Sequence, residues 1–465
     1  MSDDNYQLYF KGIQESYKTK DTTEHSFRTP LENFLKNLRD KCSPLHESKR
    51  DKVFGAPDFK ITFNGIKVGY IETKDLCENL DEILETEQIK KYTGSIGNLI
   101  LTNYCRFILL RNGVKVLDVI LFTLSELDNP KFKIPNERIT EFERLMDTFL
   151  TYHSLSIKSS EALARELSVK ASLVKDIARE QLEEDRIRQN AGESYSSILD
   201  FYQGVEELIH DISDDDCIDA YAQTITYGLF LAKNRCRGQM KREHVDGCLP
   251  INIPVIHRIF RDISGSSLPS NLSWVFDEIL EVLNSSGIKK IFDEEDERGK
   301  KDRDPFSHFY EDFLRLYDPT KRERRGVYYT PRPVVNYIVK SVEWILQNNF
   351  KKQLGYADDD VTVLDPATGT GTFLYFVYLR MLVELNEKNL KGLKYSKIRD
   401  HALKNFYGLE ILITPYIIAH LKLAMLLHRW NYELRSDERV QVYLTNSLDQ
   451  GEEHGLIPFM KEIND

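Results

Sequence analysis

The chain has no Cys-x-x-Cys pair; its six cysteines (Cys42, Cys77, Cys105, Cys217, Cys236 and Cys248) are scattered. That spacing argues against a zinc ribbon and against a disulfide framework, and suits a reducing compartment. It has no run of about 18 apolar residues, so no membrane-spanning helix is expected. The start, Met1-Ser2-Asp3-Asp4, is acidic and polar where a secretory signal is basic and then apolar, and the chain reads as cytoplasmic. Nor is there a surplus of basic charge. Lys and Arg number 63 against 74 Asp and Glu, a net charge of −11. This rules out a histone-like protein that coats DNA by bulk charge. It leaves nucleic acid open as a partner, because binding depends on a local basic surface.

What is present is a globular balance, 41% apolar and 29% charged, in 465 residues. That length suffices for two or three domains. Three textures follow one another. Up to about residue 127, helices alternate with short strands. Thr22 to Leu38 reads as an amphipathic helix with Phe27, Leu31, Phe34, Leu35 and Leu38 as its stripe. Phe59 to Phe63 and Ile66 to Tyr70 alternate around an Asn64-Gly65 turn, a hairpin signal. A helix over Leu80 to Tyr92 and strands at Leu99 to Thr102 and Arg106 to Leu110 complete an α-β-β-α-β order. From about 128 to 305, helical periodicity dominates, as in Glu161 to Gln181 and Asp219 to Ala232. Asp214-Asp215-Asp216 reads there as a solvated helix start, since adjacent carboxylates cannot all face one ion. From 306, strands at Val361 to Leu364, Phe406 to Leu409 and Gln441 to Leu444 alternate with apolar helices, a doubly wound pattern. The expected architecture is therefore a multidomain α/β chain with an all-helical connector over 128–305.

The hairpin carries one constellation. Pro57-Asp58 lies on its first strand, and Glu72-Thr73-Lys74 ends the second. Two carboxylates beside a lysine suit Mg²⁺-dependent phosphodiester hydrolysis. The hard cation takes oxygen ligands, holds a phosphate oxygen and activates water, and Lys74 can orient that water or offset developing charge. Register tests the idea. With a strict two-residue turn Asp58 pairs with Ile71, and Glu72 and Lys74 point to the wrong face. A bulge near Gly69, or a three-residue turn, restores convergence. Glu24 falls about 20° from Leu31 around the first helix, on the apolar stripe. It serves either a cation or an ion pair with Arg28 at i+4. Gln88 and Tyr92 share one edge of the next helix.

This ordered set resembles the PD-(D/E)xK nuclease superfamily, and Gln88-x-x-x-Tyr92 resembles its RecB-like branch. The resemblance implies that Asp58 and Glu72 bind Mg²⁺ and that Lys74 assists the nucleophile. Glu24, Gln88 and Tyr92 would complete the site or contact double-stranded DNA.

A second constellation lies where the third texture begins. Val361 to Leu364 runs into Asp365-Pro366-Ala367-Thr368-Gly369-Thr370-Gly371-Thr372-Phe373, a Gly-rich strand-to-helix turn that lets a ligand approach the backbone. A dinucleotide fingerprint needs a third glycine, but position 374 is Leu. Glu410, at the end of the next strand, can accept from ribose hydroxyls, and the Asn446 amide can meet an adenine edge. Thr330 can cap, and Pro331 begin, a helix whose N-terminus suits a carboxylate.

These residues resemble the S-adenosylmethionine-dependent DNA adenine-N6 methyltransferases, with Asp365, Pro366, Ala367, Gly369, Gly371 and Phe373 as the donor signature. Gly326-Val327-Tyr328-Tyr329-Thr330-Pro331 is similar to the element that closes on the donor's methionine end. With His308 to Phe313, the whole resembles single-chain restriction–modification enzymes, type IIG or type I single-polypeptide. The departure is in the catalytic half. The Asn-Pro-Pro-Tyr loop that holds a flipped target base is absent, and 19 residues remain after Asn446. No target-recognition domain and no Gly-x-x-x-x-Gly-Lys-Ser/Thr loop follow either. The expectation is a Rossmann-like methyltransferase core over 306–465 that is cut short and does not methylate alone. It would be joined to a nuclease domain over 1–127, with a specificity chain or a methyltransferase-completing chain as partner. A non-catalytic donor- or DNA-binding module is the alternative. Basic clusters at Lys49-Arg50, Lys90-Lys91, Lys233 to Arg242, Lys300-Lys301 and Lys321 to Arg325 offer phosphate contacts.

Overall fold

A computed structural model describes residues 4–19, 25–39, 42–46, 57–63, 66–152, 157, 159–206, 212–236, 238–248, 268–288, 305–318, 330–435 and 437–445. The chain divides into two compact units, Met1–Ser156 and Ile157–Asp465. The boundary expected near residue 127 thus falls inside the first unit, and the connector and C-terminal textures share the second.

The first unit opens with two helices, α1 (Asp4–Lys18) and α2 (His25–Leu38). Six strands follow: β1 (Cys42–His46), β2 (Phe59–Phe63), β3 (Ile66–Thr73), β4 (Leu99–Thr102), β5 (Arg106–Arg111) and β6 (Val114–Ile120). They form one sheet in sequence order, antiparallel except where β3 runs parallel to β4. A parallel pair needs a crossover. α3 (Leu80–Glu85) and α4 (Glu87–Ser95) supply it. The single helix expected over Leu80 to Tyr92 is interrupted at Thr86, whose side chain caps α4 by accepting from the Ile89 N–H. The strand β1, the edge strand β6 and helix α1 add to the α-β-β-α-β order.

After α5 (Leu124–Leu127), α6 (Asn136–Leu150) closes the unit. Its apolar stripe (Phe142, Leu145, Met146, Phe149) joins Tyr6, Phe10, Phe27, Leu31, Phe34, Phe59, Ile61, Ile71 and Phe107 in one core. The inner stripe of α6 is what draws residues beyond 127 into this unit. Every residue of β4 is buried, as expected of a strand covered on both faces.

The second unit begins with α7 (Ser160–Asn190), α8 (Ser197–Glu206), α9 (Asp214–Arg235), α10 (Ser270–Ser285) and α11 (Pro305–Tyr317). The run Cys217–Ala232 of α9 is buried all round, the mark of a central helix. Its buried Asp219 accepts from the Tyr317 hydroxyl (2.8 Å) and pairs with Lys175 (3.2 Å), while Tyr310 donates to Gln223 Oε1 (3.1 Å). These bonds tie α11 to the connector. The Asp214 to Asp216 triplet does start a helix, capped by Ser213, but it is not simply solvated: Asp214 pairs with Arg186, and Asp215 with Lys175 and Arg179. Two of the scattered cysteines are brought together. Cys236 and Cys248 form a disulfide, with Cα atoms 5.5 Å apart, because two short turns after α9 fold the chain back.

Next come α12 (Arg332–Asn348), β7 (Val363–Asp365), α13 (Thr372–Glu387), β8 (Phe406–Glu410), α14 (Ile413–Arg429) and β9 (Gln441–Leu444). The three strands are parallel, in the order β7-β8-β9. Among the described residues, no helix is long and apolar enough to cross a membrane.

Candidate functional sites

The register of β2 against β3 decides the first site. Phe59 pairs with Ile71 and Ile61 with Gly69, but Thr62 pairs with Lys67, so Val68 is the extra residue of a bulge. The bulge is pinned locally. The Asn98 amide donates to the Val68 carbonyl (2.8 Å) and to the Phe149 carbonyl (3.0 Å). Gly69 is required because a Cβ there would stand 2.4 Å from the Asn98 carbonyl oxygen and 2.7 Å from the Phe149 ring. With Phe59 opposite Ile71, the residue just before β2, Asp58, comes opposite Glu72.

Asp58 is fully buried and Glu72 nearly so. Lys74 Nζ lies 2.9 Å from Glu72 Oε1. Asp58 Oδ2 accepts from the Thr73 N–H (2.7 Å) and the Thr73 hydroxyl (2.6 Å), while Oδ1 lies 2.7 Å from Nη2 of the buried Arg28. The structure thus brings Lys74 to Glu72, and Thr73 and Arg28 to Asp58. Arg28 was legible in sequence only as a partner for Glu24. Its place between Phe27 and Leu31 on the inner stripe of α2 is the signal that it needs a buried acid of its own.

Glu24 lies outside the described residues; Gln88 and Tyr92 stand four apart in α4, with only their backbone described. Among the described residues no group of three or more His, Cys, Asp or Glu forms a metal cluster. Two buried carboxylates set across from each other fit a hard divalent cation in donor type. In arrangement, Asp58 already has a resident cation in Arg28.

The second site is the turn from β7 to α13. Gly369 (φ 56°) and Gly371 (φ 75°) are left-handed, a conformation that favours glycine. Gly371 also sits where a Cβ would press on Ala419 of α14 at 3.1 Å. The turn is bound to the end of β8: Thr368 N–H donates to the Leu409 carbonyl (2.9 Å) and Gly369 N–H to Glu410 Oε2 (2.7 Å). Glu410 Oε1 accepts from Leu412 N–H (2.8 Å). Glu410 therefore holds the turn as well as ending its strand, a role the sequence reading did not include. Gly408 allows this close approach, since a Cβ there would meet Thr368 Oγ1 at 2.5 Å.

Burial pushes the Asp365 carboxyl above its ordinary range, and does the same to Glu410, with Asp365 adding repulsion. Asp365 Oδ1 accepts weakly from Ala367 N–H (3.3 Å), and Oδ2 is buried without a hydrogen-bond partner. A buried acceptor beside an open glycine turn suits a ligand bearing ammonium or hydroxyl donors, as S-adenosylmethionine does. Pro366 and Ala367 are exposed at the turn, and Phe373 is half-buried in the first turn of α13.

Upstream, Pro331 is the N-cap residue of α12 and the helix begins at Arg332, so Pro331 does not begin it. Pro331 itself gives that end no side-chain cap. Pro333 takes the early helical place instead, where its missing N–H costs nothing. Tyr329 and Asn446 lie outside the described residues, as do Lys49-Arg50, Lys300-Lys301 and Lys321 to Arg325. Several other basic groups are engaged internally: Lys90 with Glu85, Arg235 with Glu433, and Arg242 with Asp277.

Comparison with known proteins bears on the second site. Residues 301–460 match the model of the family described as N-6 DNA Methylase, so an N-6 DNA methylase domain lies over this part of the chain. No curated protein matches. Among solved structures, the chain is similar to the DrdV–DNA complex at 20% identity and TM-score 0.44, covering 96% of this chain and 40% of that one. It is similar to the ATP-dependent Type ISP restriction–modification enzyme LlaBIII bound to DNA at 17% identity and TM-score 0.41, over 80% and 23%. The nuclease-deletion mutant of the Type ISP restriction–modification enzyme LlaGI, with a DNA substrate mimic, gives 20% and 0.39, over 66% and 23%. The chain therefore spans less than half the length of the chains it matches.

Proposed function

We propose that the chain belongs to a combined restriction–modification enzyme. Its first unit would be a Mg²⁺-dependent endonuclease of the PD-(D/E)xK kind acting on double-stranded DNA, and its second would bind S-adenosylmethionine in an adenine-N6 methyltransferase core. The nuclease half rests on one observation, the bulge that sets Asp58 opposite Glu72 with Lys74 against Glu72. A divalent cation bound there would polarise a phosphate oxygen and activate the attacking water. Glu72 and Asp58 would hold it, and Lys74 would steady the nucleophile or the developing charge from 2.9 Å beyond Glu72 Oε1.

The methylase half is supported by the family match over 301–460 and by the partnerless Asp365 oxygen. Asp365 would receive a donor group of S-adenosylmethionine. Gly369 and Gly371 would admit it to the backbone, and Glu410 would share itself between the turn and the ribose. No Asn-Pro-Pro-Tyr loop occurs in residues 1–465, so methyl transfer would need polypeptide beyond them.

A second reading, in which further polypeptide completes the methylase fold, is favoured by the edge of its sheet. Among the described residues β7 is an edge strand of a parallel sheet, and its Leu364 is 58% exposed, although parallel strands are ordinarily covered. α12 likewise presents Tyr337 and Trp344 to solvent, at 74% and 60%.

The test is nicking of supercoiled plasmid in Mg²⁺. Asp58→Ala and Lys74→Ala should each lower it by at least ~100-fold, as loss of a charge-stabilising group does; nicking that survives both substitutions would refute the assignment. S-adenosylmethionine should raise the melting temperature of the wild-type chain but not of Asp365→Ala. Methyl incorporation into DNA by this chain alone would contradict the missing loop.

A further inference from the structure

Arg28 is 3% exposed and Asp58 is wholly buried, and their 2.7 Å contact is an ion pair shut away from water. Two buried charges persist only when each compensates the other. Thr73 holds the second Asp58 oxygen through both its N–H and its hydroxyl, so the carboxylate is oriented with Oδ1 turned to the guanidinium. Arg28 comes from α2 and Thr73 from β3, so helix and strand grip Asp58 from different elements. The same Asp58 is the carboxylate proposed above to hold a divalent cation, and this inference rests on that reading.

We propose that Arg28 is a positioning residue that occupies the charge-compensating place of the metal: it keeps Asp58 buried and aimed before a cation arrives, and a cation must displace it to bind. Arginine suits this part because its charge does not titrate away in a protein. The folded apo site then carries its own counter-charge, and metal binding has to overcome the ion pair it replaces. The consequence has a definite sign. A group that merely supports the site weakens metal binding when removed, whereas a competitor strengthens it.

The experiment is calorimetric titration of the full chain with Mn²⁺, without DNA, for wild type, Arg28→Gln, Arg28→Lys and Asp58→Asn. Arg28→Gln should lose on the order of 10 °C in melting temperature without metal, since it strands a buried carboxylate. It should also bind Mn²⁺ at least ~10-fold more tightly than wild type. If Arg28→Gln does not fold, Arg28→Lys carries the test: a shorter point charge without the fork should tighten Mn²⁺ by ~3-fold or more. In the double variant Arg28→Gln/Asp58→Asn, most of the lost melting temperature should return, because the charge left stranded is gone. Mn²⁺ affinity that is unchanged or weaker in the Arg28 variants overturns the proposal while leaving the nuclease reading intact. Wild-type Mn²⁺ binding that is absent, or that persists in Asp58→Asn, overturns the nuclease reading and this inference with it.

Discussion

His420 and Asp365 show how burial sets charge one residue at a time. His420 is buried in α14 with its Nε2 3.0 Å from the Val442 carbonyl, so the neutral ring donates there and ties α14 to β9. Burial lowers its pKa from 6.5 to about 4. The unfolded chain takes up a proton below pH 6.5 that the folded chain refuses until about 4. Stability from this group is thus complete above pH 6.5 and is lost as pH falls toward 4, by roughly 3 kcal/mol. Asp365 and Glu410, raised by burial, act with the opposite sign and gain as acid relieves their ionisation. Urea melts of wild type and His420→Gln between pH 7 and 5 separate the two: the wild type should lose stability faster than the variant, and equal slopes would reject the buried-neutral histidine. At this scale the sequence shows which groups are ionisable. It does not show that Asp58 meets Arg28, since the two are thirty positions apart and only the packing of α2 on the sheet joins them.

At the scale of elements, the β3 bulge carries most of the argument. The hairpin was legible from alternation around Asn64-Gly65, and the need for a bulge from a conflict: the apolar faces wanted one register and the carboxylates another. Its position at Val68 is decided by Asn98 and Phe149, which lie far along the chain and hold the carbonyl and the bare Gly69 backbone. Gly69→Ala should therefore cost about 1–3 kcal/mol in chemical denaturation, the range for forcing an atom into a filled core. It should also depress Mg²⁺-dependent nicking beyond what lost stability explains, because a register slip turns Glu72 and Lys74 away. Unchanged stability would mean that the backbone there is looser than the 2.4 Å approach implies. The break at Thr86 was not legible from periodicity, since α3 and α4 continue one apolar pattern. The cap at Thr86, extended between the two helices, decided it.

At the scale of the whole molecule, the chain is two units with separate cores, and the proposed ligands divide between them. Differential scanning calorimetry should show two transitions, with S-adenosylmethionine raising one and Mn²⁺ the other, as ligands stabilise only the states that bind them. One transition moved by both ligands would join what the cores keep apart.

The sequence by itself determined the local chemistry: the Gly-rich turn after an apolar strand, the acid-x-Lys end of a hairpin, the absence of an Asn-Pro-Pro-Tyr loop and the lack of bulk basic charge. Each is a property of neighbouring residues, and spacing reveals it. Only the tertiary structure decided that α6 belongs with the first sheet, that Glu410 binds the Gly369 amide, that Cys236 meets Cys248, and that Arg28 stands against Asp58. Those partners are distant in sequence, and their meeting is set by which apolar faces bury one another, a choice that periodicity along the chain does not encode.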